Sequence, residues 1–229
     1  MIGQRERDGR NADRSVELRL FLMPALPDAK VVQFAKTFLD EHLGRFTKDI
    51  AICLKADAKK RHAYFPALIT CIAFLDFLSG LYAGSLEIHS LKELKHYVRK
   101  FMDPSEYTED RLNVLYELFR HKVAHLALPY AAFDTNTKPK TFGGQPRRLI
   151  TWTVRASGPR PPINIVSEKR QISKAVTPWS VSYDHRAVIS IRSFASDIIK
   201  SVPKYLRHLE KDKTARNHFN DCMNTYFPV

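Results

Sequence analysis

The chain has 229 residues, of which 44% are hydrophobic and 27% charged, and its 37 Lys+Arg against 24 Asp+Glu give a formal net charge of +13. This fits a soluble globular protein with a real core, as one large domain or one domain with an elaborate insertion, and the positive excess favours an anionic partner, nucleic acid first, over a basic surface that only maintains solubility. Cys53, Cys71 and Cys222 are scattered and odd in number with no CxxC pair, which excludes a disulfide framework or thiolate zinc site and points to a reducing, cytoplasmic setting.

Residues 1–28 read as a mobile basic tail and lead-in. Within them "VELRLFLMPALP" resembles the apolar region of a signal peptide, but Glu17 and Arg19 interrupt it and it is too short. Residues 29–55 read as an amphipathic helix, with Val32, Ala35, Phe38, Leu39, His42, Phe46, Ile50 and Leu54 at helical spacing. "KADAKKRH" (55–62) is a basic connector whose Lys59, Lys60 and Arg61 are candidate nucleic-acid contacts.

Residues 64–83 form a second helix, apolar on nearly all sides and closed by Gly80 and Gly84. A stretch of that length with Asp76 near its middle reads as a buried core helix and not a membrane span. It is expected to be the most buried of the helices, with Phe74→Ala costing about 3 to 5 kcal/mol. The third helix starts after Ser90 and ends before Asp103–Pro104. The fourth occupies "YTEDRLNVLYELFRHKVAHLALP", with Thr108 as N-cap, Glu109 and Asp110 in the first turn, and Pro129 as its stop.

After Pro129 the chain is rich in turns and breakers, as in "TNTKPKTFGGQPRR" and "ASGPRPP". Short β-branched runs at 149–154, 163–166 and 187–191 predict a small sheet. From Ser193 helical spacing returns (Phe194, Ile198, Val202, Tyr205, Leu206, Leu209), with Pro203 expected to kink or divide the helix. The fold class is therefore mainly α. It comprises an antiparallel four-helix bundle (helical core 29–129), a β-containing insertion (130–192) and C-terminal helices (193–226), all in one domain over 29–229.

The densest chemistry lies in "FRHKVAH", residues 119–125. His121 and His125, four apart, share one helix face. Arg120 lies about 140° from His125 around an ideal helix, a gap its long side chain can close. A permanent cation and two imidazoles at a helix C-terminus suit a phosphate, clamped by the guanidinium while an imidazole moves a proton. Lys122 adds positive charge. The same lysine stands where a zinc protease needs its glutamate, and no third ligand is apparent, so no metal or other cofactor is expected. The plain alternative is a solvated last turn, with His125 hydrogen-bonded to a loop. Asp76, a lone carboxylate in so apolar a helix, should hold a partner: Arg120, one of these histidines, a lysine or a neighbouring turn. Arg147 and Arg148 are further candidate nucleic-acid contacts.

The fourth helix with this ending resembles the HEPN superfamily (higher eukaryotes and prokaryotes nucleotide-binding). Its signature is an Arg, four to six residues, then a His, often with Asn, Asp or His directly after the Arg. Arg120, His121 and His125 match it. "CIAFLDFLSGLYAG" resembles the buried second helix of those bundles, and the likeness covers roughly residues 30–129. It implies an HEPN-like four-helix bundle and a metal-independent endoribonuclease in toxin–antitoxin, phage-defence or RNA-processing systems. It also implies a homodimer with one composite cleft and, in some systems, an antitoxin or regulatory protein. In such a site Arg120 would hold the scissile phosphate, His125 would serve as general base or acid, and His121 would position substrate. Some toxin members carry a tyrosine two residues after the His. Ala127 occupies that place and Tyr130 lies too far along, which argues against regulation by modification of that tyrosine. Other members are inactive, so a binding module for nucleic acid or a partner is the alternative to an enzyme.

Overall fold

A computed structural model of the protein describes residues 28–57, 62–87, 90–116, 133–134, 149–173 and 180–227. Among the described residues the molecule is mainly helical, with a small sheet.

Helix α1 (Asp28–Leu54) buries Val31, Ala35, Leu39, Phe46, Ile50 and Leu54 along one stripe. Its outer face mixes Lys30, Lys36 and Lys48 with Asp40, Glu41 and Asp49, all exposed. Helix α2 (Tyr64–Ala83) has the bounds the sequence predicts. It admits Pro66 because the first turn has no intrahelical acceptor for that N–H. It ends at Gly84, whose φ of 85° is left-handed and whose N–H closes on the Gly80 carbonyl. A Cβ at Gly84 would lie 3.1 Å from the His218 ring, so the turn needs glycine for space as well as conformation.

α2 is central. It packs against α1, against α3 (Leu91–Phe101), against α5 (Ile191–Lys211) and α6 (Lys213–Tyr226), and against a strand. Leu68, Cys71, Leu75 and Leu78 are fully buried in consequence. By length and composition α2 passes as a membrane span; here its surroundings are the other helices. Phe74, expected in the innermost layer, is half-buried and stacks on Phe46 at a ring distance of 4.5 Å. Its side chain is not fully enclosed, so its truncation is expected to cost less than about 3 to 5 kcal/mol.

The start of α3 is specified locally. Ser90 Oγ accepts from the Glu93 N–H while Glu93 returns a carboxylate to the Ser90 N–H, a capping box. Helix α4 is described over Glu109–Leu115. Thr108 is its N-cap by backbone conformation, but its hydroxyl makes no capping hydrogen bond. Glu109 in the first turn is used otherwise: it accepts from Lys95 Nζ at 2.5 Å and Arg99 at 3.5 Å, tying α4 to α3. This first part of α4 packs on α3 and on the sheet.

The sheet has the order β1-β2-β4-β3, from β1 (Phe133–Asp134), β2 (Leu149–Arg155), β3 (Ile163–Ser173) and β4 (Ser180–Ser190). β2 and β4 are parallel, with Trp152 opposite Ala187; β3 and β4 form an antiparallel pair with a register shift between Ser167 and Arg170. Ile150, Ile163, Ala187 and Ile189 are its fully buried side chains, and Trp152 stacks near Phe65 of α2. β3 and β4 run well beyond the apolar runs 163–166 and 187–191. A hairpin ladder needs only main-chain pairing, which composition does not reveal.

β4 passes straight into α5 at Ile191, two residues before the expected start. α5 runs through Pro203 without dividing; the break falls at Asp212, whose Oδ1 accepts from the Ala215 N–H and caps α6. Phe194, Ile198, Val202, Tyr205 and Leu209 are buried, and Leu206 is half-buried. The C-terminal pair thus forms part of the main core rather than a rim around it. Outside the core Arg160 bridges Glu106 and Asp197, and Tyr107 donates to Asp197 at 2.8 Å, linking the β2–β3 turn to α5.

Within the core, Tyr97 Oη pairs with Ser201 Oγ at 2.9 Å, and Ser201 donates on to the Ile198 carbonyl. Tyr205, equally buried, has no hydrogen-bond partner for its hydroxyl among the described residues. A buried orphan hydroxyl costs about 1 to 3 kcal/mol. Tyr205→Phe is therefore expected to keep or raise stability, by about 1 kcal/mol, in urea unfolding. A loss of similar size would show that the hydroxyl is satisfied.

Candidate functional site

Arg120, His121, Lys122 and His125 lie outside the described residues, as do Lys59, Lys60, Arg61, Arg147 and Arg148. Asp76 is described. It is half-buried on α2, beside the fully buried Leu75, and it is engaged by a partner, as a carboxylate in that setting requires.

A cleft of about 340 Å³ lies where the end of α2 meets α3, the end of α5 and the start of α6. Lys92, His96, His208, Asp212 and His218 converge on it. Helical spacing places them: Lys92 and His96 share a face of α3, as His208 and Asp212 do at the α5 terminus. His218 Nδ1 lies 3.0 Å from the Tyr82 carbonyl. A carbonyl only accepts, so Nδ1 carries the proton of that hydrogen bond.

His208 sits on an aromatic cluster, 5.6 Å from the Phe101 ring and 6.0 Å from Tyr82, with Nε2 3.5 Å from Asp212 Oδ2. Burial, and then the charge of Lys100, lower its pKa below the ordinary imidazole range; Asp212 opposes both. The Asp212 carboxyl is itself held low, chiefly by the Ala215 N–H that it caps. The cleft can therefore offer a neutral imidazole beside a carboxylate, an arrangement suited to binding a small polar group. Among the described residues no group of three His, Cys, Asp or Glu side chains is placed to hold a metal ion.

A histidine whose folded pKa is depressed stays neutral in the native state while the unfolded chain takes up the proton. Its contribution is intact above the unfolded pKa near 6.5 and is lost as pH falls through the folded value. The melting temperature should therefore decline below about pH 6.5, and less steeply in His208→Gln. Equal pH slopes for wild type and variant would remove His208 as the cause.

Sequence reasoning did not find this cleft. His96, His208 and His218 are scattered along the chain, and the four-residue spacings of Lys92/His96 and His208/Asp212 are too common to single out. No family model matches the chain, and neither the comparison with curated proteins nor that with solved structures returns a match.

Proposed function

We propose that the protein is a metal-independent endoribonuclease of the HEPN type, acting as a cytoplasmic homodimer through Arg120, His121 and His125. One observation carries this reading: the spacing of an arginine, an adjacent histidine and a second histidine in "FRHKVAH", at the end of the segment that opens with α4. The apolar central helix α2 and the net charge of +13 support it. Asp76, partnered on α2, is the supporting carboxylate.

In the reaction the ribose 2′-oxygen attacks the adjacent phosphorus as His125 takes its proton. The bond from phosphorus to the 5′-oxygen breaks, and that oxygen takes a proton as it leaves, returned by the His125 imidazolium of the composite site. The products are a 2′,3′-cyclic phosphate and a 5′-hydroxyl. Arg120 neutralises the charge that builds on the phosphorane oxygens. Lys59, Lys60, Arg61, Lys122, Arg147 and Arg148 would hold the flanking backbone. Roles in toxin–antitoxin or phage-defence systems, with an antitoxin or regulatory partner, belong to the same reading.

The second reading is a non-catalytic module that binds nucleic acid or a partner. The positive charge favours it equally, because charge serves binding without chemistry. Incubating the purified protein with RNA in parallel with EDTA and with magnesium, and identifying the termini, decides between them. Cleavage leaving 2′,3′-cyclic phosphate supports the enzyme; intact RNA, or 3′-hydroxyl ends that need magnesium, supports its rejection.

A further inference from the structure

The outer face of α5 differs from that of α1. At about 100° per residue, Lys200, Lys204, Arg207 and Lys211 fall within an arc of about 60°, in a row about 16 Å long. All four are exposed, and none is paired with a carboxylate among the described residues. The nearby acids are engaged elsewhere or stand to the side: Asp197 holds Arg160 and Tyr107, Asp212 caps α6, and Glu210 flanks the row. On α1, by contrast, lysines alternate with carboxylates, as on an ordinary solvated face. The row does not stop at α5. Lys100 on α3 lies near enough to act on both His208 and Asp212, and beyond it exposed Lys92 and His96 border the cleft.

We propose that this ridge, Lys200, Lys204, Arg207 and Lys211 continued by Lys100, is an RNA-binding surface that tracks the phosphodiester backbone without reading sequence. Lining up unpaired like charges on one helix face costs self-repulsion unless a polyanion covers them. An extended row without a concave pocket fits a chain of phosphates better than a single small anion. RNA as the occupant rests on the endoribonuclease reading; the demand for a polyanion does not.

The test measures binding of a fluorescein-labelled single-stranded 2′-O-methyl RNA of mixed sequence to the full-length protein by anisotropy. That probe lacks the attacking hydroxyl, so binding is read whether or not the protein cleaves. Two variants are compared: Lys200→Gln/Lys204→Gln/Arg207→Gln/Lys211→Gln on the ridge, and Lys30→Gln/Lys36→Gln/Lys48→Gln/Lys55→Gln as an equal charge loss elsewhere. All eight positions are exposed, so both should keep the wild-type melting temperature. The ridge variant is expected to bind about tenfold or more weakly, and the slope of log affinity against log salt should fall by about 3 for four lost contacts. The control should stay close to wild type in both.

Equal weakening of the two variants would reduce the effect to net charge and overturn the ridge. So would wild-type binding by the ridge variant, or tighter binding of wild type to phosphatidylserine vesicles than to RNA. Absence of RNA cleavage by wild type, with the ridge result as expected, would overturn the endoribonuclease reading and leave the ridge standing.

Discussion

Arg120→Ala and His125→Ala are each expected to lower RNA cleavage by about a hundred- to ten-thousandfold, the range spanned by losing one proton-transfer group or one charge-stabilising donor. In the proposed mechanism the proton of the 2′-hydroxyl goes to an imidazole, and the extra charge of the phosphorane meets a guanidinium. Arg120→Lys separates charge from geometry, since lysine keeps the cation and loses the bidentate fork; activity between wild type and Arg120→Ala is the expected result. DNA of the same sequence should remain uncut because it lacks the nucleophile. Circular dichroism and melting must first show that each variant is folded. Variants as active as wild type would reduce "FRHKVAH" to the end of a helix, and a requirement for magnesium would place the chemistry elsewhere.

Phe219→Ala should be among the most damaging single changes for stability, at about 3 to 5 kcal/mol in urea unfolding. Phe219 is fully buried on α6, the last helix, and packs edge-on to Phe38 of α1 at 6.2 Å. Its removal leaves a cavity walled by helices from both ends of the chain, which cannot collapse without moving one of them. Phe74→Ala should cost less, about 1 to 3 kcal/mol, because its ring is not fully buried and stacks on one main neighbour. If the two costs came out in the reverse order, α6 would be an accessory and not a wall of the core.

The contrast marks what can be read from a linear sequence. α2 was legible because an all-round apolar run of helix length has one physical solution, burial, and because Gly84 ends it by conformation. α3 was legible because Ser90 and Glu93 specify its start within four residues. The long hairpin was legible only at its apolar inner ends, since "SEKRQIS" and "SVSYDHR" are held by pairing across strands. Of the two effects expected of Pro203, a kink or a division, the structure shows no division. The divider is Asp212, whose signal is a cap and not a breaker.

The place of the C-terminal helices was hidden for a different reason. Amphipathic spacing says that Phe194, Tyr205 and Phe219 face a core but not which core. The candidate site divides in the same way. Arg120, His121 and His125 stand together in the chain, so spacing alone singles them out as candidates. His96, His208 and His218 become neighbours only through the packing of three helices.

The position of α2 also has a consequence for the birth of the molecule. Its C-terminal partner ends at Tyr226, while α2 itself ends at Ala83. At about 5 to 20 residues per second, a ribosome needs on the order of ten seconds to travel between them. During that interval the most apolar segment of the chain has emerged while the two helices that complete its enclosure do not yet exist. α1 and α3 can shelter part of it, but the surface destined for α5 and α6 stays open to water and to other nascent chains. That interval is where association between nascent chains through α2 is expected to begin.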